Sequence, residues 1–98
     1  MKILALEKEV PGVPDRAFTP ELLKLEAVRA WELQQSGVIR ELYFRSDRPA
    51  AVLVLECTQT AEAREVLNTL PLAQQGLIDF DIVPLMPYPG FERLFSEA

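Results

Sequence analysis

With no histidine and one cysteine, Cys57, in 98 residues, proton chemistry in this chain has to come from carboxylates, tyrosine, lysine or that thiol. Structural zinc and histidine-dependent nucleophiles are excluded for the same reason. The most informative polar residue is Glu26. Leu22, Glu26, Ala30 and Leu33 recur at i, i+4, i+8 and i+11, and Leu23 lies at i−3 from Glu26, so a carboxylate projects from the middle of an apolar helical stripe. By spacing it faces the sheet. A carboxylate there must be paired, hydrated in a pocket or shifted toward its neutral acid, because an unpaired buried charge is costly. The structural alternative is an arginine partner or escape to the helix edge.

Arg40 is the candidate partner. It lies in VIRELYFR on the side of Val38, Leu42 and Phe44, and can meet Glu26 if that side faces the helices. The two would then form a structural salt bridge or the polar end of a ligand pocket, where arginine holds a carboxylate through two parallel hydrogen bonds. Glu26 and Arg40 are therefore the expected catalytic pair, and Leu22, Ala30 and Leu42 the expected substrate-binding side chains. Tyr43 shares the other strand face with Ile39, Glu41 and Arg45 and reads as packing, Glu41 and Arg45 as a surface pair. Cys57, in an apolar run, reads as a small core residue. Trp31 projects away from the Leu22 stripe and suits an oligomer contact. No GxGxxG, Walker A, CxxC or HExxH is present, so neither a metal nor a tightly bound cofactor is expected.

The elements that must position these groups are well punctuated. Residues 2–8 read as a strand, stopped by a loop with two prolines and a glycine. A helix over 20–36 follows, with Thr19 as N-cap, Pro20 at the first position, Glu21 in the first turn and Gly37 as the left-handed stop. Residues 38–45 and 50–57 form a hairpin whose second strand is apolar on both faces. Thr60 is the expected cap of a second helix, and Pro71 its end. In GLIDFDIVPL, Ile78, Phe80 and Ile82 alternate with Asp79 and Asp81, giving a last strand with both aspartates on a solvated face. The order is β-α-β-β-α-β, an α+β ferredoxin-like plait with an antiparallel sheet and two helices on one face. Residues 1–98 form one domain.

The uncovered sheet face needs a partner, and a second copy is the simplest, so a homodimer or higher homo-oligomer is expected, clasped by Met86, Tyr88, Phe91 and Phe95 of the tail, residues 86–98. Acids outnumber bases 15 to 10, a net charge of −5, which argues against nucleic acid and anionic membranes as partners. The N-terminal apolar run is too short for a signal-peptide core, and no run approaches membrane-spanning length, so a cytoplasmic location is expected.

Taken together, Glu26, Gly37, Arg40 with Tyr43, the LPL of residues 70–72 and the IDFD of residues 78–81 make the sequence resemble the muconolactone isomerase family, a branch of the dimeric α/β-barrel superfamily. The resemblance implies a barrel of two facing sheets, often in larger rings, and a cofactor-free proton transfer that moves the double bond of a small lactone acid. Glu26 as base and Arg40 as anchor for a substrate carboxylate suit that reaction chemically. Two departures touch the pocket wall: AQQG follows LPL where the family carries aromatics and proline, and Glu41 stands where the namesake is basic. The other readings are a non-catalytic small-molecule-binding or assembly protein of the same fold, and a cofactor-free monooxygenase.

Overall fold

Burial at every second residue defines the sheet. Ile3 and Ala5, Leu53 and Leu55, and Ile78 and Phe80 are buried, while the residues between them stay more open. The computed structural model describes residues 1–97. Its elements are β1 (Lys2–Glu9), α1 (Pro20–Gln35), β2 (Ile39–Phe44), β3 (Ala51–Glu56), α2 (Thr60–Leu67), α3 (Pro71–Gln74) and β4 (Ile78–Pro84), with short 3-10 turns at Asp15–Ala17 and Pro89–Phe95.

The strands lie in the order β2-β3-β1-β4, all neighbours antiparallel, as the ferredoxin-like plait requires. Ile3 pairs with Leu55 and Ala5 with both Leu53 and Ile82, which places their inward side chains in one layer. Leu33 of α1, Ala63 and Leu67 of α2, and Leu70 and Leu72 around α3 close over that layer to form the core. The sheet is open, not closed on itself. Among the described residues no helix is long and apolar enough to cross a membrane.

Gly37 ends α1 as its spacing predicts. Its φ of 86° lets Val38 N donate to Leu33 O and Gly37 N to Gln34 O, both at 3.1 Å, the two bonds of a Schellman stop. Gly76, with φ 71°, ends α3 in the same way: Leu77 N donates to Leu72 O and Gly76 N to Ala73 O. AQQG is thus the end of a one-turn helix and its stop.

Three expectations change. Gln59, not Thr60, occupies the N-cap of α2, and Thr60 is already its first residue. Thr58 instead donates through its amide and its hydroxyl to Glu62 Oε2, so the loop is tied to the first turn from further upstream. Pro71 does not end the second helix; it opens α3, where its missing N–H costs nothing. In β2 the register slips between Ile39 and Glu41, so Ile39 faces Leu55 and Leu42 faces Leu53. This bulge breaks the simple alternation that grouped Arg40 with Leu42 and Phe44, because one extra residue shifts which side chains point inward.

The face away from the helices explains Asp79 and Asp81. Lys8 Nζ lies 2.9 Å from Asp81 and 3.9 Å from Asp79, and Arg64 Nη1 lies 3.0 Å from Asp79 while Nη2 donates to Phe80 O. These are exposed pairs that fix register and contribute little to stability. Replacing Gly37 by alanine should destabilise the fold by about 1 kcal/mol, because the added Cβ meets nothing within 4 Å and the cost is confined to the left-handed backbone. Urea denaturation checks this as a lower midpoint with unchanged slope.

Candidate active site

The LPL segment and Glu26 belong together. In α3 the N-cap position falls on Leu70, which has no side chain able to accept from the first-turn amides. Glu26 supplies the missing acceptor from α1: its Oε1 takes a 2.9 Å hydrogen bond from Leu72 N. Its Oε2 accepts no hydrogen bond from the described residues. Burial raises the Glu26 pKa above the ordinary 4.5, the amide of Leu72 pulls it down, and the negative charge of Glu7 pushes it up again.

Glu7 is the residue that sequence reasoning missed. It continues the inward series of Ile3 and Ala5 at the end of β1, where the helical layer no longer covers the sheet completely. Its Oε1 accepts from Ala51 N at 3.2 Å, and burial raises its pKa as well, against that hydrogen bond. The signal was available in KILALEK: the alternation that predicts the strand also predicts where its seventh residue points.

Both carboxylates stand on the wall of an open cleft of about 980 Å³. The cleft is bounded by the loop after β1, by the α1 face from Leu23 to Ala30, by β2 from Leu42 to Phe44, and by Leu72 and Leu77 beside α3. Of the expected site residues, Glu26, Ala30 and Leu42 are on this wall. Leu22 is not; it packs against the core. Arg40 is also outside the cleft. It is exposed, and its positive charge acts on Glu56 at the far end of β3, whereas among the described residues no cation acts on Glu26. The β2 bulge gives the inward place opposite Leu55 to Ile39 and leaves Arg40 outside it.

Tyr43 also reaches the cleft wall, but its hydroxyl donates to Glu41 Oε1 at 2.7 Å, which raises its pKa and commits its proton. Cys57 is buried in the core, and burial raises the thiol pKa, so it is no nucleophile. Trp31 is exposed, as its place off the Leu22 stripe predicts.

A four-stranded antiparallel sheet with helices on one face, opening at one end into an apolar cleft with two desolvated carboxyl groups, defines a small ferredoxin-like protein with a candidate site for proton chemistry. Residues 4–90 match the muconolactone delta-isomerase family, and the chain belongs to it. No curated protein matches the chain.

Glu7→Gln keeps an oxygen for Ala51 N and removes a desolvated charge beside Glu26. Its melting temperature at pH 7 should therefore exceed that of the parent. A carboxyl group whose native pKa is raised favours folding when protonated, so the parent gains stability as pH falls from neutral through the native pKa, and the advantage of Glu7→Gln fades toward pH 4. Thermal melts across that range provide the measurement.

Proposed function

We propose that the protein is a cofactor-free isomerase that moves a proton beside the carbonyl of a small lactone or related acid derivative, with Glu26 as the base. The observation that carries this reading is the placement of Glu26: one oxygen is held by Leu72 N, the other is unengaged, and the group lines a cleft large enough for a small molecule. In the reaction the C–H bond beside the carbonyl breaks, its proton passes to Glu26 and its electron pair spreads into a dienolate. The carboxylic acid then returns the proton at the other end of the conjugated system, which moves the double bond. Burial helps here because a base with a raised pKa lies closer to the carbon acid and to neutral pH. Ala30 and Leu42 contact the apolar body of the substrate, and Glu7 is a second carboxyl group able to share the proton. Arg40 and Leu22, off the cleft wall, take no part in this scheme.

A purely structural role for Glu26 makes a different prediction from a catalytic one. Glu26→Gln keeps an acceptor for Leu72 N and removes the base, whereas Glu26→Ala removes both. Proton exchange from solvent deuterium into an unsaturated γ-lactone, followed by NMR, should fall by at least about a hundredfold in Glu26→Gln with the melting temperature retained. Unchanged exchange in that variant would refute the assignment.

The working unit we propose is a homodimer or larger ring joined through the open sheet face and the tail. Phe91, Leu94 and Phe95 are largely exposed, and Tyr88 and Phe91 meet edge to face at 4.9 Å. Sedimentation should give a multiple of the 11.1 kDa chain mass, and Phe91→Asp with Phe95→Asp should lower it.

A further inference from the structure

The wall of the cleft is electrostatically one-sided. It carries four carboxylates, those of Glu7, Glu9, Asp15 and Glu26, and among the described residues no lysine or arginine stands on it. Two basic side chains nearby are turned to other partners. Lys8 is paired with Asp81 on the opposite sheet face, and Arg29 donates to Thr69 and Glu32 between the helices. Arg40, the one cation whose spacing suggested it, acts on Glu56 instead. Between the acids the wall is apolar, with Phe18, Leu42, Phe44 and Leu77 prominent.

From this distribution of charge we infer that the cleft selects an uncharged, largely apolar carbonyl compound, a lactone or enone without a free carboxylate. The identity of the reacting group and the exclusion of a cationic substrate rest on the proton-transfer reading above; the exclusion of a ligand carboxylate does not. A ligand carboxylate brought beside Glu7 and Glu26 would place like charges together in a cleft where water screens them poorly. It would also drive Glu26 toward its neutral acid and so remove the base from its working form. A cation would pair with the acids, but it would pull the Glu26 pKa down and weaken the same base. An uncharged ligand leaves Glu26 as burial and Glu7 have set it, and its apolar body matches the rest of the wall. The substrate class inferred therefore differs from a lactone acid at one point, the charged side chain.

Three saturated γ-butyrolactones that differ only in the group on the γ-carbon test this: ethyl, carboxymethyl and aminomethyl. Saturated rings have no double bond to move, so equilibrium binding is read separately from turnover. Titration calorimetry on the full-length protein at pH 7 should give the ethyl lactone a Kd at least about tenfold below that of the carboxymethyl lactone. Glu7→Gln should narrow that gap. Equal or tighter binding of the carboxymethyl lactone would overturn the inference, and would mean that a cation reaches the cleft from elsewhere, such as a second copy. Tightest binding of the aminomethyl lactone, or no saturable binding of the ethyl lactone, would overturn it too. Retained discrimination against the carboxymethyl lactone with no proton exchange in the deuterium assay would instead refute the reaction and leave the exclusion of a carboxylate standing.

Discussion

The hydrogen bond from Leu72 N to Glu26 Oε1 joins two parts of the chain that need each other. A four-residue helix such as α3 is too short to persist alone, and its N-terminus has an apolar residue where a capping side chain would usually stand. Glu26 provides that cap from the middle of α1. In return the amide field at the start of α3 offsets part of the cost of holding a carboxylate away from water. The contact spans 46 residues of sequence, and it fixes α1 over the sheet at the point where the cleft opens.

That constraint bears on the proposed chemistry. One oxygen of Glu26 is fixed, so the direction of the other is limited, and a base with one restrained degree of freedom is better placed to meet a substrate proton than a freely rotating surface carboxylate. The neighbouring Glu7 raises the cost of ionising Glu26. Burial and a neighbouring negative charge both favour the neutral acid of Glu26, the direction that suits a group that takes up and returns a proton. Membership of the muconolactone delta-isomerase family is consistent with that property, while the particular substrate depends on the residues around it.

Charge is segregated across the molecule. The outward aspartates of β4 are compensated, Asp79 and Asp81 by Lys8 and Asp79 also by Arg64 of α2, whereas among the described residues the cleft wall carries acids and no cation. A bulge in β2 sets the place of one further cation, Arg40. Had β2 run in regular alternation, Arg40 would have shared the inward side of Leu42 and Phe44; with the register shifted, Ile39 takes the inward place and Arg40 is exposed. One extra residue in a strand thus decides that Ile39, and not Arg40, faces Leu55 in the core.

The sequence by itself determined the order of the four strands and the two longer helices, the antiparallel plait, the limits of α1 to within a residue, and the inward aim of Glu26. Each of those follows from local causes: helical or two-residue periodicity, a proline at a helix start, a glycine at a positive φ. It also contained Glu7 in the alternation of KILALEK, although a carboxylate at a strand end is easily read as solvated. Tertiary structure alone decided the rest. The bulge at Arg40 depends on how β2 settles against β3, the partner of Glu26 lies on a helix 46 residues away, and the cleft exists only where the loop after β1, α1, β2 and α3 come together. Periodicity records which way a side chain points within its own element, and carries no information about what another element places opposite it.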